Sequence, residues 1–229
     1  MNNAPPYKLV RARRKTVGIY IQKDASVEVR APLKLSQAAI DGFVASKSAW
    51  IAQHVASRAQ KVRQSTAFSL NYGDSILLCG AEIPILERDG KSAGYDGECF
   101  YLPPGLTPEE IKKTVVKVYI TTAKGFLARR TAELAQMMGV TPSAVKIGSA
   151  KTRWGSCSGK KSINYSWRLI MAGERTIDYV IVHELAHLKE LNHSPRFWAV
   201  VKSVIPDAES RKRELKALQD RLSREDWDV

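Results

Sequence analysis

Hydrophobic and polar positions divide the chain into stretches with two different periods. Over residues 7–31 they alternate: Val17, Ile19 and Ile21 with Gly18 and Tyr20, then Val27 and Val29 with Glu28 and Arg30. Period two predicts short strands, with Lys23-Asp24-Ala25 as a turn. Pro32 closes this unit. Ser36 is a good N-cap for a helix over about residues 36–63, whose apolar stripe is Ile40, Phe43, Val44, Trp50, Ile51 and Val55. His54 borders that stripe and is read as a packed or surface residue. Residues 68–102 return to short strands. There Ile76, Leu77, Leu78 and Ile83, Ile85, Leu86 flank a hairpin at Cys79-Gly80-Ala81-Glu82.

The second half begins with a strong helix start. Thr107 is an N-cap, Pro108 a first-turn residue, and Glu109 and Glu110 suit the positive end of the dipole. The helix is expected to run to Met138 with Gly139 as its stop, burying Ile111, Val115, Val118, Tyr119, Leu127, Leu134 and Met138. Residues 145–149 begin another strand. Ile163, Tyr165, Trp167 and Leu169 then alternate with Asn164, Ser166 and Arg168, which predicts a strand with one apolar face. A hairpin thus precedes a helix expected over residues 175–191, capped by Thr176 or a neighbour. Asn192 suits a left-handed stop, and Ser194-Pro195 starts a further helix over 195–205. Residues 207–229 read as a solvated helix packed through Leu215, Leu218 and Leu222.

The chemistry gathers in VHELAHLKELNHSPRFW, residues 182–198, which holds three of the four histidines. On a helix, His183 and His187 share a face about one turn apart, the spacing at which two imidazoles reach one ion. Glu184 is offset by about 100°. It can overhang the open side of a metal without ligating it, as in the H-E-x-x-H arrangement. A catalytic zinc takes three protein ligands and one water. His193, in the elbow between two helices, is the best third ligand, and zinc suits imidazole-rich ligation.

Composition changes this picture little. An apolar share of 44 % and a charged share of 26 % are ordinary for a soluble globule. The charge balance is +13, from 36 Lys and Arg against 23 Asp and Glu. Such an excess attracts nucleic acid, anionic lipid or acidic substrates, or is an inert basic surface. The cluster Arg11, Arg13, Arg14 and Lys15 is either a polyanion contact or, in the favoured reading, a charged edge strand that blocks unwanted pairing. Three scattered cysteines without a C-x-x-C pair argue against a disulfide framework and a zinc ribbon. With no signal-peptide pattern and no membrane-length apolar run, a cytoplasmic location is expected.

The segments RARRKTVGIYI, VRAP, KTRWGSCS, INYSWRLIMA, IDYVIVHELAHLKELNHSPRFW and IPD resemble, in the same order, the YgjP-like predicted metal-dependent hydrolases. The site segment is also similar to SprT-like proteases, which share the third histidine followed by an aromatic helix. The resemblance implies an α+β, zincin-like core. It further implies that His183, His187 and His193 bind Zn2+ and that Glu184 is the catalytic acid/base. Two regions are expected: a β-rich residues 1–105 containing the first helix, and a metal-binding catalytic region over 106–229. Arg153, Trp154, Tyr165 and Arg168 are candidates for supporting the site or binding substrate, each weighed against a purely structural role; Cys157 is read as a buried reduced thiol. The leading activity is a zinc metallopeptidase acting on a peptide or protein substrate. The rivals are a metal-dependent nucleotide or phosphate-ester hydrolase, and a nucleic-acid-associated protease or basic binding protein.

Overall fold

The computed structural model describes residues 5–229, which form two compact units. One unit extends to Phe68 and takes in Ser223–Asp226; the other comprises Ser69–Leu222 and Trp227–Val229. The break therefore falls after Phe68, where the sequence pattern placed it after residue 105.

The first unit contains β1 (Lys8–Ala12), β2 (Gly18–Ile21) and β3 (Val27–Pro32), ordered β1-β3-β2. The expected turn before β3 is present: Ala25 takes φ 67° and Asp24 Oδ1 accepts from the Ser26 amide at 3.0 Å. Of the basic cluster, Arg11 on the edge strand β1 ties down the chain that follows β3, donating to Leu35 O at 2.6 Å and to Leu33 O at 3.2 Å.

The single helix expected over 36–63 is two: α1 (Gln37–Ser46), capped by Ser36, and α2 (Ser48–Thr66). Ser46 Oγ donates to Phe43 O at 2.7 Å. Such back-bonding by serine competes with the helical ladder and bends it. The expected stripe is buried only at Ile40, Val44 and Ile51, while Phe43 and Trp50 are exposed. Val27, Val29 and Ala31 complete this core.

In the second unit β4 (Ser75–Leu78), β5 (Ala81–Glu87), β6 (Gly94–Tyr95) and β7 (Phe100–Leu102) form a sheet ordered β4-β5-β7-β6. These strands belong with the site half because they pack on α3 (Pro108–Met138) and its surroundings. The Tyr119 hydroxyl donates to Leu77 O at 2.6 Å, and its ring lies 5.1 Å from Phe100. The Cys79 amide donates to Ile170 O at 2.7 Å.

Helix α3 begins and ends as its sequence dictates. Thr107 and Glu110 form a reciprocal capping box, and Gly139 stops it at φ 62°. All of the expected face, from Ile111 to Met138, is buried.

The second sheet is ordered β8-β10-β9, from β8 (Ala144–Gly148), β9 (Gly155–Cys157) and β10 (Ser162–Ser166). Strand β10 pairs parallel with β8 and antiparallel with β9, which leaves β9 at an edge. The strand expected to reach Leu169 stops at Ser166 and becomes a 3₁₀ turn over Trp167–Met171. Every residue of that turn is buried. Its apparent alternation therefore has no solvent side to obey.

Next come α4 (Glu174–Ala186), α5 (Pro195–Val204) and α6 (Ala208–Leu222). Arg130 on α3 holds Asp178 on α4 through two bonds of 2.7 Å, so the long helix backs the H-E-x-x-H helix. α6 buries the expected Leu215, Leu218 and Leu222. Together these elements make an α+β fold. No helix of the described residues is long and apolar enough to cross a membrane.

Candidate metal centre

Helix α4 is shorter than its pattern. Gly173, not Thr176, is its N-cap; Thr176 is buried inside the helix and its hydroxyl donates to Glu214. The C-terminal end comes at Ala186, with His187 as the cap. One more turn continues loosely, as the Glu190 amide donates to Ala186 O at 2.9 Å. Asn192 does not take the left-handed conformation expected of it. The elbow closes instead through the Ser194 amide, which donates to Asn192 O at 2.7 Å. Ser194 Oγ then caps α5 by accepting from the Phe197 amide at 3.3 Å.

This elbow brings the imidazole of His193 back over α4. One ligand nitrogen from each of His183, His187 and His193 falls within a set no wider than 4.8 Å. His183 Nε2 and His193 Nε2 are 3.1 Å apart. Two nitrogens on one tetrahedral zinc at about 2.0–2.1 Å sit about 3.3 Å from each other, so this pair already has the required spacing. His187 Nδ1 lies 3.2 Å from Glu190 O. A carbonyl only accepts, so Nδ1 carries the proton and Nε2 keeps its lone pair. His183 is poised similarly in charge: burial, then its histidine neighbours and Lys212, lower its pKa to about 4. Burial also lowers His187. Neutral imidazoles with converging lone pairs are the donor set that a divalent transition ion requires. His183 Nδ1 is buried without a hydrogen-bond partner among the described residues. The residues therefore fit zinc, which His183, His187 and His193 could hold together.

Glu184 is 6 % exposed and lies beside strand β9. A Cβ on Gly155 would stand 2.6 Å from Glu184 Oε1 and 2.7 Å from its Cγ. Only glycine admits the carboxylate that close. Burial raises the Glu184 pKa to about 7, and the positive charge of Arg153 opposes the rise.

The four supporting candidates separate. Arg153 acts on Glu184 electrostatically. Tyr165 is fully buried in β10 and its hydroxyl meets Thr131 Oγ1 at 3.4 Å. Burial, with Glu184 contributing, raises that phenol. Trp154 contributes its carbonyl to the Ser166 amide at 2.9 Å, a bond that extends the β9–β10 pairing at the start of β9. Arg168 is directed to Ser149 O at 3.2 Å, Asp228 Oδ1 at 3.4 Å and the Trp167 ring, which is a structural placement. Cys157 is half-buried and outside the donor cluster, with its thiol raised by burial.

Three further residues complete the surroundings. Phe197 is fully buried with its ring 4.9, 4.6 and 4.7 Å from those of His183, His187 and His193. Tyr179 sits one turn before His183, ring centroids 6.0 Å apart, its hydroxyl pushed up to about 12 by burial. The i−4 spacing of Tyr179 was a readable signal. The role of Lys212 had none, because no period connects it with the histidines.

A family model described as "YgjP-like, metallopeptidase domain" matches residues 15–218, and the chain belongs to that family. A comparison with curated proteins finds no match. Among solved structures, the metallopeptidase zymogen abylysin of Pyrococcus abyssi is similar at 26 % identity, over 43 % of this chain and 97 % of that one, with a TM-score of 0.38.

Proposed function

We propose that the protein is a zinc-dependent peptidase in which Glu184 moves the proton. Bound at the three imidazoles, zinc would lower the pKa of a coordinated water toward about 7 and polarise a carbonyl. Everything else falls to residues of the chain. Glu184 takes a proton at its carboxylate and later returns it to the leaving nitrogen. In the metal-free chain burial already lifts this carboxyl well above the ordinary carboxylate range, toward the pH at which it can both accept and release a proton. His187 is held in one tautomer by Glu190 O. Phe197 fills the floor behind the imidazoles and excludes water there.

The observation that carries the peptide reading is the position of Glu184 against Gly155 on the edge strand β9. An extended peptide added to that edge by main-chain hydrogen bonds would run past the carboxylate. Three unpaired thiols, Cys79, Cys99 and Cys157, suit the reducing, cytoplasmic setting that belongs to this reading.

The test is a panel of peptides and nucleotides incubated with zinc-loaded wild type, Glu184→Gln and His187→Ala. Glu184→Gln should keep its zinc and lose peptide turnover by about 10²–10⁴-fold. His187→Ala should lose zinc. Full activity of Glu184→Gln would remove its role, and turnover confined to nucleotides would move the chemistry to phosphorus.

A further inference from the structure

The three imidazoles are not held alike. His183 is embedded in α4, and His187 is oriented by a carbonyl at 3.2 Å. His193 is exposed, on the short elbow between α4 and α5. Among the described residues its sole hydrogen-bonded contact is His183 Nε2, a fellow ligand. Among the described residues no carboxylate or carbonyl fixes its tautomer or its ring. What does touch the ring is aromatic. Phe197 meets it edge-on at 4.7 Å, and Trp198 stacks on it at 5.9 Å with the planes 26° apart.

Trp198 is itself restrained from a different helix. Lys212 on α6 places its ammonium 3.9 Å from the centre of the Trp198 ring. Glu209, one turn earlier on α6, holds that ammonium at 2.8 Å. A half-buried indole under a cation has few other rotamers open to it, and cation–π attraction opposes each departure. A continuous path of contacts thus runs from Glu209 through Lys212 and Trp198 to His193.

We propose that Trp198 is a positioning residue for the third zinc ligand, with Lys212 of α6 locking its ring. The stacked indole substitutes for the hydrogen bond that ordinarily orients a metal-bound imidazole. It presents His193 before the ion arrives, and metal affinity thereby depends on a helix that contributes no ligand. This inference rests on the zinc-centre reading above.

Zinc affinity of the full chain, measured by competition with a chromophoric chelator, tests it. Trp198→Leu should weaken binding about 10–100-fold, the usual effect of removing a group that orients a ligand. Trp198→Phe should recover most of that loss, because a flat ring is restored. Lys212→Met, which keeps the stem and removes the charge, should weaken binding by about two- to fivefold. The metal-free variants should melt together with metal-free wild type, since the contact acts on the ligand and not on the core. Wild-type affinity in Trp198→Leu would overturn the proposal. If Trp198→Leu does not fold, Lys212→Met decides, and unchanged affinity there overturns it. His187→Ala separates the two levels: if it loses zinc while Trp198→Leu retains it, only the positioning role fails; if it too retains zinc, the centre itself is wrong.

Discussion

Glu184 holds a carboxyl in a place that disfavours its charge. Its pKa of about 7, against an ordinary 4.5, comes from burial. Between those two values the folded protein keeps a proton that the unfolded chain has released. The stability linked to that proton is complete below about pH 4.5 and is lost as pH rises through 7. The rise corresponds to about 3 kcal/mol. In the metal-free protein, Glu184→Gln should therefore gain on wild type by about 3 kcal/mol between pH 4 and pH 8. Denaturant unfolding in EDTA at both pH values measures it, and a difference that ignores pH would show that burial is not the cause. Gly155 gives a second prediction at this scale. Gly155→Ala sets a methyl 2.6 Å from Glu184 Oε1. Displacing the carboxylate by about 1 Å should cost about 10²-fold in peptide turnover, while zinc stoichiometry stays at wild type. The convergence of His183, His187 and His193 was legible because spacing on a helix and a Ser-Pro helix start are local properties, though Asn192 does not act as the left-handed stop. The closeness of Gly155 to Glu184 was not, since it depends on how β9 meets α4.

Elements follow the same division. α3 was readable end to end, because its caps, its acids and its stripe all lie within its own 31 residues. Gly139 at φ 62° ends it in a conformation that costs residues with a Cβ about 1–2 kcal/mol. Gly139→Ala should lower unfolding free energy by about that amount, read from the urea midpoint at constant m-value; a neutral result would mean the helix end relaxes. Where the pattern misled, packing overrode it. Trp50 and Phe43 look like core on the α1–α2 stripe but are exposed where the helix breaks at Lys47. Residues 167–171 look like a strand but lie wholly inside the protein as a 3₁₀ turn. Residues 69–105 group by pattern with the β-rich N-terminal region, yet Tyr119 and Ile170 bind them to the site half.

At the scale of the whole molecule, charge and chemistry sit in different parts of the chain. Residues 1–68 contain 12 Lys and Arg against 3 Asp and Glu, a balance of +9 out of the total +13. All three candidate ligands and Glu184 lie in the unit of Ser69–Leu222. A ligand that binds only the native state stabilises it by an amount that grows with its concentration over Kd, about 2.7 kcal/mol at a hundredfold excess. The structure says which amides should register that gain. α4, its cap His187 and the elbow before α5 carry the imidazoles, and β9 meets Glu184 through Gly155. β1, β2 and β3 with α1 and α2 close their own core around Val29, Ile40 and Val44. Hydrogen exchange compared with zinc and with EDTA should therefore show protection lost along 174–204 and 155–166 on chelation. Exchange over residues 8–66 should stay unchanged. Equal loss in both units would mean that they unfold as one cooperative body, and the metal would then be stabilising the entire chain instead of the half that binds it.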